Sequence, residues 1–470
     1  MNDVILGKDI TFEVIVPVIV VGGGASGLIA ALAAHDRGAH VIVLERDPNP
    51  SGSTALSSGL IPACNTRWQR AINISDSDLL FMNDINKKSK YEADKKLVER
   101  VCSVSAQVLH WLADNHEQEF VVLNNFLYPG HSVHRMHAHP KRTGKALIEG
   151  LLDAVKKAGI EVITSAHVTD VYASDESNIQ GVRINRPDGS TEDIGCKSLI
   201  LACNGYGGNS SMISNYIPEM KDALYFGHKG NQGDAINWGI KLGASIKHMG
   251  AYQGHGSVAT PHGALITWAI MMEGGVQLNT LGERFSNEHQ GYSEQSINVL
   301  EQPERVVWNI FDGRLHELGC EFDDYRKANE SGAIKIFHSL DALANSIGAP
   351  IKTVSATLKD LELYKKGFKT CPFGRNFSET PSLEGPPYYG VKVTGALFHT
   401  QGGLSINKDG RVLRKNGTNF PNLFAVGGSA VGVSGGSVEG YLSGNGLLTA
   451  VAMGFVAGKS AACLVAGPQR

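Results

Sequence analysis

The chain has no Cys-x-x-Cys pair, no uninterrupted apolar run of the ~18 residues that a membrane helix requires, and no excess of either charge. Each absence removes a class. The seven cysteines, Cys64, Cys102, Cys196, Cys203, Cys320, Cys371 and Cys463, are scattered through 470 residues. Their spacing suits neither haem attachment nor a zinc ribbon nor an iron–sulfur cluster, and an odd, scattered set reads as reduced thiols in a cytoplasmic protein. Lys and Arg total 43 against 46 for Asp and Glu, a net charge of −3. That balance offers no footprint for nucleic acid or an anionic membrane. No secretory leader is expected, because the apolar run Val14–Val21 ends directly in glycines. A second G-x-G-x-x-G and a redox C-x-x-C or C-x-x-x-x-C are also missing, which argues against a nicotinamide-linked disulfide reductase. His131, His134, His137 and His139 cluster without an acidic or thiol companion, so no metal site is expected.

What is abundant is glycine, at 55 residues, which points to tight turns and close approach of backbone to a ligand. The length suits two or three domains. Val14–Val21 reads as a buried strand, regular after Pro17. It runs straight into Gly22-Gly23-Gly24-Ala25-Ser26-Gly27, an Ala-rich helix over 28–37 and a second apolar strand, Val41–Leu44, ending in Glu45. That is a complete βαβ unit. Gly22, Gly24 and Gly27 fit G-x-G-x-x-G: the first permits the turn, the second lets backbone approach a pyrophosphate, and the third allows close helix–strand packing. The helix N-terminus offers amide hydrogens and the positive end of its dipole to phosphate. Glu45, eighteen residues after Gly27, suits a ribose.

Helical patterns follow near 77–88, 91–115, 144–157 and 233–242, with strand patterns at 160–164, 167–172, 179–185 and 198–202. From about 249 to 386 the texture turns polar and turn-rich. Strand patterns resume at 389–393, 403–406 and 423–426, before an Ala/Gly-rich helix over 447–465. The expected fold is α/β. A Rossmann-type dinucleotide-binding domain, a parallel sheet with helices and an added antiparallel segment, is formed by 1–248 and 387–470. An α+β cap domain, 249–386, is inserted in it.

The glycine loop, Leu44-Glu45-Arg46 and the stretch Gly52-Ser-Thr-Ala-Leu-Ser-Ser-Gly59 together resemble the fumarate reductase/succinate dehydrogenase flavoprotein family. Gly282-Glu-Arg-Phe-Ser-Asn-Glu288 is similar to that family's cap signature. Pro421-Asn-Leu-Phe-Ala-Val-Gly-Gly428 and Leu442-Ser-Gly-Asn-Gly446 are similar to its C-terminal flavin signature. The resemblance covers nearly the whole chain. It implies FAD, held by Gly22, Gly24, Ala25, Ser26 and Gly27, by Glu45 and Arg46, and by Ser53, Thr54, Ser58 and Gly59. Val168, Ala202, Asn204, Gly205 and Asp234 would follow, then Gly427, Gly428, Ser443, Gly444, Asn445, Gly446 and Leu447. Ser53 stands before Thr54 where the family's covalent members carry the flavin-linked histidine, so the FAD is expected to be noncovalent. Where many members have Glu after A-x-G, Gly428 leaves only backbone to contact the flavin.

Departures from the fumarate reductase pattern speak to substrate. The family's proton-donating arginine, four residues after the Asn-Glu of the cap signature, is matched by Tyr292, and its carboxylate-binding arginine by Tyr441. Its substrate-binding histidine survives as His399 in His399-Thr-Gln-Gly-Gly403, beside Phe398. A dicarboxylate needs charged, often bidentate partners, and two tyrosines supply none. This pattern resembles the 3-ketosteroid dehydrogenase branch, where a tyrosine in a Pro-[Phe/Tyr]-Tyr stretch polarises the ketone. Pro387-Tyr388-Tyr389 fits it, with Tyr389 expected to be catalytic and Tyr388 to touch substrate. The implied chemistry makes or reduces a C=C bond next to a carbonyl, with Tyr292 exchanging the α-proton, a hydride exchanged at flavin N5 and a separate protein or molecule exchanging electrons. Tricarballylate dehydrogenase-like members share Tyr292 and Gly440-Tyr441, so a polycarboxylate enzyme is the alternative.

Overall fold

A computed structural model describes residues 3–7, 10–174 and 178–466. Two sheets organise it. In the nine-stranded sheet, Val14–Val21 pairs in parallel with Val41–Leu44 on one side and with Thr191–Leu201 on the other. Glu161–Ile163 extends the parallel edge. Thr191–Leu201 divides its far edge: its first half pairs antiparallel with Ile179–Asn185, and its last three residues pair parallel with Leu423, Phe424 and Ala425. The apolar runs read from the sequence are therefore the strands buried on both faces, as parallel sheets covered by helices require.

Helix Ala25–His35 covers this sheet and lies against the last helix, Asn445–Ala466. The contact needs glycine. A Cβ on Gly458 would sit 2.2 Å from Ala30 O, and one on Gly454 would sit 2.6 Å from Ser26 O. The last helix is long and apolar enough, by length and composition, to cross a membrane. Here most of its residues are buried inside the protein, so its apolarity is used in the core.

The seven-stranded second sheet is centred on one long strand, Tyr388–Thr400, which pairs antiparallel with Tyr252–Ala259 on one edge and Val306–Phe311 on the other. Leu224–Tyr225 joins it too. This differs from the sequence reading, which returned the chain to the nucleotide-binding domain at 387. By its pairing, Tyr388–Thr400 belongs to the sheet of the cap, and Leu224–Tyr225 enters that sheet before 249. The hydrophobic pattern marked both as strands, but pattern alone does not choose the sheet. Helix Tyr292–Leu300 crosses this sheet closely enough that a Cβ on Gly254 would lie 2.1 Å from Ser296 Oγ. Tyr292, its first residue, is thereby set over the strands that carry His255 and His399.

The cap signature has a structural use. Glu288 is buried between Arg284 (Nε to Oε1 2.9 Å) and Arg375 (Nη1 to Oε2 3.1 Å). The two guanidiniums hold its carboxyl down to about 2 against the upward push of burial. Both arginines are nearly fully buried.

Candidate functional site

A cavity of about 1230 Å³ runs between the two sheets, from the glycine loop to Tyr292. At the loop, Gly22 has φ +112°, a conformation side chains resist, and Gly22 N–H donates to Leu44 O. Gly23 N–H donates to Glu45 Oε2 at 2.7 Å, and Ala25 N–H donates to Thr54 Oγ1 at 3.1 Å. The amides of Gly24 and Ser26 make no hydrogen bond among the described residues, and both residues line the cavity. Unpartnered amides at a helix N-terminus suit a pyrophosphate. Glu45 and Arg46 line the same stretch. Ser53 Oγ accepts from Asn204 Nδ2 (3.1 Å) and Asn231 Nδ2 (2.9 Å), binding segment Gly52–Ala55 to the strand end at Asn204. A cradle of this length and chemistry fits the dinucleotide that the motifs imply.

Ala25, Thr54, Ser58, Val168, Ala202, Asn204, Asp234, Gly427, Gly428, Ser443, Gly444, Gly446 and Leu447 also line the cavity. Four expected contacts stand behind its wall instead. A Cβ on Gly27 would fall 1.9 Å from Gly22 O, one on Gly59 2.8 Å from Thr143 O, and one on Gly205 2.0 Å from Thr400 Oγ1. Asn445 is buried and donates to Ser434 Oγ at 3.3 Å. These four shape the loops that line the cavity. The histidine-rich loop braces the same wall: His131 Nε2 lies 2.9 Å from Ser443 O, and Arg135 ties His131 to Asp84 and Asp76.

At the far end the rings gather. Tyr292 and Tyr441 meet edge to face with centroids 6.2 Å apart, and His399 meets Tyr441 the same way at 5.7 Å. Burial pushes the Tyr292 hydroxyl up to about 12, partly offset by hydrogen bonds from Ser443 and Tyr441. Tyr441 is driven well above its ordinary value by burial and by Tyr292 beside it. Burial drives His399 down to about 4. Phe398 lines the wall and stacks on Phe226 at 4.9 Å.

Tyr388 and Tyr389 do not line the cavity, which corrects the expectation that they touch substrate. Tyr389 stacks on His316 at 4.5 Å and on Phe311 at 6.0 Å, and Tyr388 packs with Phe337 and its neighbours. They lie at the start of strand Tyr388–Thr400, where cap elements cover both faces. Alternation sends one side chain to each face, so neither reaches the cavity, which the strand meets only ten residues later at Phe398 and His399.

His255 was missed by the sequence reading. It lines the cavity, stacked between Tyr292 (4.8 Å) and Phe398 (5.3 Å), with Trp268 edge-on at 5.7 Å. Ser257 N–H donates to its Nδ1 at 3.1 Å, so Nε2 carries the proton of the neutral ring. Burial holds the ring neutral, with its pKa down to about 3. A histidine between two glycines in a polar stretch carries no signal of this. Only the pairing of His255 with Ala396 across the sheet brings it here.

A glycine loop with unpartnered amides, a continuous dinucleotide cradle and a capped ring cluster at its end define a flavin-type dinucleotide protein. The "FAD binding domain" family matches residues 17–447. The chain is 31% identical over 95% of its length to a probable fumarate reductase of Shewanella frigidimarina (strain NCIMB 400), of which it covers 74%. It is 30% identical over 95% of its length to an NADH:fumarate oxidoreductase of Klebsiella pneumoniae (strain 342), of which it spans only 47%. Among solved structures, the open conformation of a flavocytochrome c3 fumarate reductase matches with TM-score 0.81 and 29% identity, over 97% of this chain and 79% of that one. The 3-ketosteroid Δ1-dehydrogenase of Sterolibacterium denitrificans shares the fold, with TM-score 0.77 and 19% identity over 95% of this chain and 99% of that one. This chain belongs to the FAD-binding fumarate reductase/succinate dehydrogenase flavoprotein superfamily.

Proposed function

We propose that this chain is an FAD-dependent oxidoreductase that reduces a C=C bond conjugated to an uncharged carbonyl, on a mostly apolar, cyclic ketone-type substrate. The observation that supports this reading is the ring cluster: Tyr292, Tyr441, His255, His399, Phe398 and Trp268 bring no cation to the end of the cavity. The two arginines nearest in sequence, Arg284 and Arg375, are taken up by Glu288. A carboxylate buried among these rings would lack a charged partner, at a cost of several kcal/mol, whereas hydroxyls and neutral imidazoles donate well to one carbonyl oxygen.

FAD, when bound, supplies the hydride for the β-carbon. The protein supplies the rest. His255 and His399 offer hydrogen bonds to the carbonyl oxygen and stabilise its developing charge. Tyr292 gives its proton to the α-carbon. A phenol held at about 12 stays protonated at neutral pH, which favours the reducing direction. The aromatic walls exclude water. Electrons come from a separate donor, and no chemistry beyond this chain is needed to place the substrate.

With enzyme-bound flavin reduced anaerobically, cyclohexenone-like and 3-ketosteroid-like enones should restore the yellow flavin band, and fumarate should not. Rapid reoxidation by fumarate or another polycarboxylate, with no response to any enone, would establish the polycarboxylate reading that the likeness to fumarate reductases favours. The FAD is held noncovalently, since Ser53 offers no histidine for linkage. Acid precipitation should leave a colourless pellet and FAD in the supernatant, and a yellow pellet would overturn the claim.

A further inference from the structure

Two imidazoles line the cavity, and each is fixed through its Nδ1. At His255 the fixing group is a backbone amide. At His399 it is a side chain with no part in the chemistry above. Gln401 Nε2 lies 3.0 Å from His399 Nδ1. The carbonyl end of the same amide accepts from Ser434 Oγ at 2.9 Å, and Ser434 Oγ accepts from Asn445 Nδ2 at 3.3 Å. All three residues are buried, with Gln401 5%, Ser434 1% and Asn445 0% exposed. The donors run in one sense, from Asn445 through Ser434 and Gln401 to the ring. An amide nitrogen only donates, so His399 Nδ1 accepts and Nε2 carries the proton. The ring has little freedom to turn, because a Cβ on Gly446 would stand 2.7 Å from Nε2.

We propose that Gln401, oriented by Ser434 and Asn445, is the positioning residue that keeps His399 a neutral Nε2–H donor and so selects a carbonyl oxygen as the group it binds. This rests on the enone reading above and deepens it. Together His255 and His399 give the cavity two uncharged donors, set by different means. The relay also accounts for Asn445, which the flavin signature placed at the cofactor and the structure places one layer behind it.

The test uses the FAD-loaded protein. Gln401→Glu puts an acceptor where the donor was, so the carboxylate takes the Nδ1 proton, Nε2 loses its hydrogen and the ring becomes easier to protonate. Gln401→Met keeps the volume and removes the hydrogen bond. Histidine nitrogen NMR, with the His399 signal assigned through His399→Asn, should show the Nε2–H form in the parent and the Nδ1–H or doubly protonated form in Gln401→Glu. With an enone that the parent reduces, kcat should fall roughly 10- to 100-fold in Gln401→Glu, the usual scale for a lost orienting partner. An acid-side dependence absent from the parent should appear, and Gln401→Met should lie between the two. Nδ1–H in the parent, or a parental tautomer, kcat and pH profile in Gln401→Glu, would overturn the proposal. If no enone is reduced at all, the enone reading fails, while the NMR arm still decides the role of Gln401. Should Gln401→Glu not fold, Gln401→Met carries the test: loss of the single fixed tautomer supports the proposal, and its retention overturns it.

Discussion

Tyr292→Phe should retain FAD and fold while its turnover with an enone falls by roughly 10²-fold or more, the scale of a lost general acid. The substitution removes one oxygen and keeps the ring that stacks on His255 and meets Tyr441. Its cost to stability should be about 1 kcal/mol, because Ser443 and Tyr441 lose one hydrogen-bond partner. The loss should appear in kcat with little change in KM, since the ring contacts to substrate survive. The parent's pH profile gives a second check. Tyr292 acts protonated in reduction and its pKa is raised to about 12, so reduction should show no fall attributable to this group at neutral or mildly alkaline pH. In the dehydrogenating direction the same group must be deprotonated, so that rate should rise with pH. A Phe variant that turns over at the parental rate would reduce Tyr292 to packing.

Gly24→Trp should give folded apoprotein. A Cβ at Gly24 meets nothing nearer than Thr54 Oγ1 at 3.8 Å, an ordinary contact, so the fold has room for a side chain there. That room is the cavity, and an indole and a dinucleotide cannot share it. Affinity for FAD should drop by at least ~1000-fold, about 4 kcal/mol, with the thermal unfolding of the apoprotein little changed. Gly27→Ala should do the reverse. Its methyl would fall 1.9 Å from Gly22 O, so the loop itself must deform and the protein lose stability whether or not FAD is present. Flavin content and apoprotein melting separate the two outcomes. If Gly24→Trp purifies with a full complement of FAD, the cradle has been misplaced.

The nucleotide-binding half was legible because its signals are local. Val14–Val21, the glycine loop and Glu45 lie within one stretch of chain, and each uses its neighbours. Tyr292 and Tyr441 were legible for another reason: they fall at fixed steps from motifs. His255 was not, because what makes it a cavity residue is a strand pairing with Ala396 across 141 positions of chain. Tyr388 and Tyr389 failed through the same gap. Their motif places them on a strand correctly, but which faces of that strand are covered is decided by elements, such as Gly313–Cys320 and Leu340–Ile347, that the sequence reading left within an undivided cap. Gly27, Gly59, Gly205 and Asn445 show a subtler limit. A signature marks residues needed near a cofactor without separating those that touch it from those that hold the touching residues in place.

The thirteen-residue strand Tyr388–Thr400 has a consequence for anyone who would dissect this protein. Deleting 249–386 would remove Tyr252–Ala259, Val306–Phe311 and Lys335–Phe337, the strands that cover its two edges. What remained would expose a long apolar ribbon with bare amides and carbonyls, a template for intermolecular pairing. Such a truncated chain should precipitate even though its glycine loop is intact. The same ribbon ties mechanical strain in the cap directly to Phe398 and His399, so solvent or mutation that loosens the cap core at Tyr389 should disorder the cavity wall at the other end of the strand.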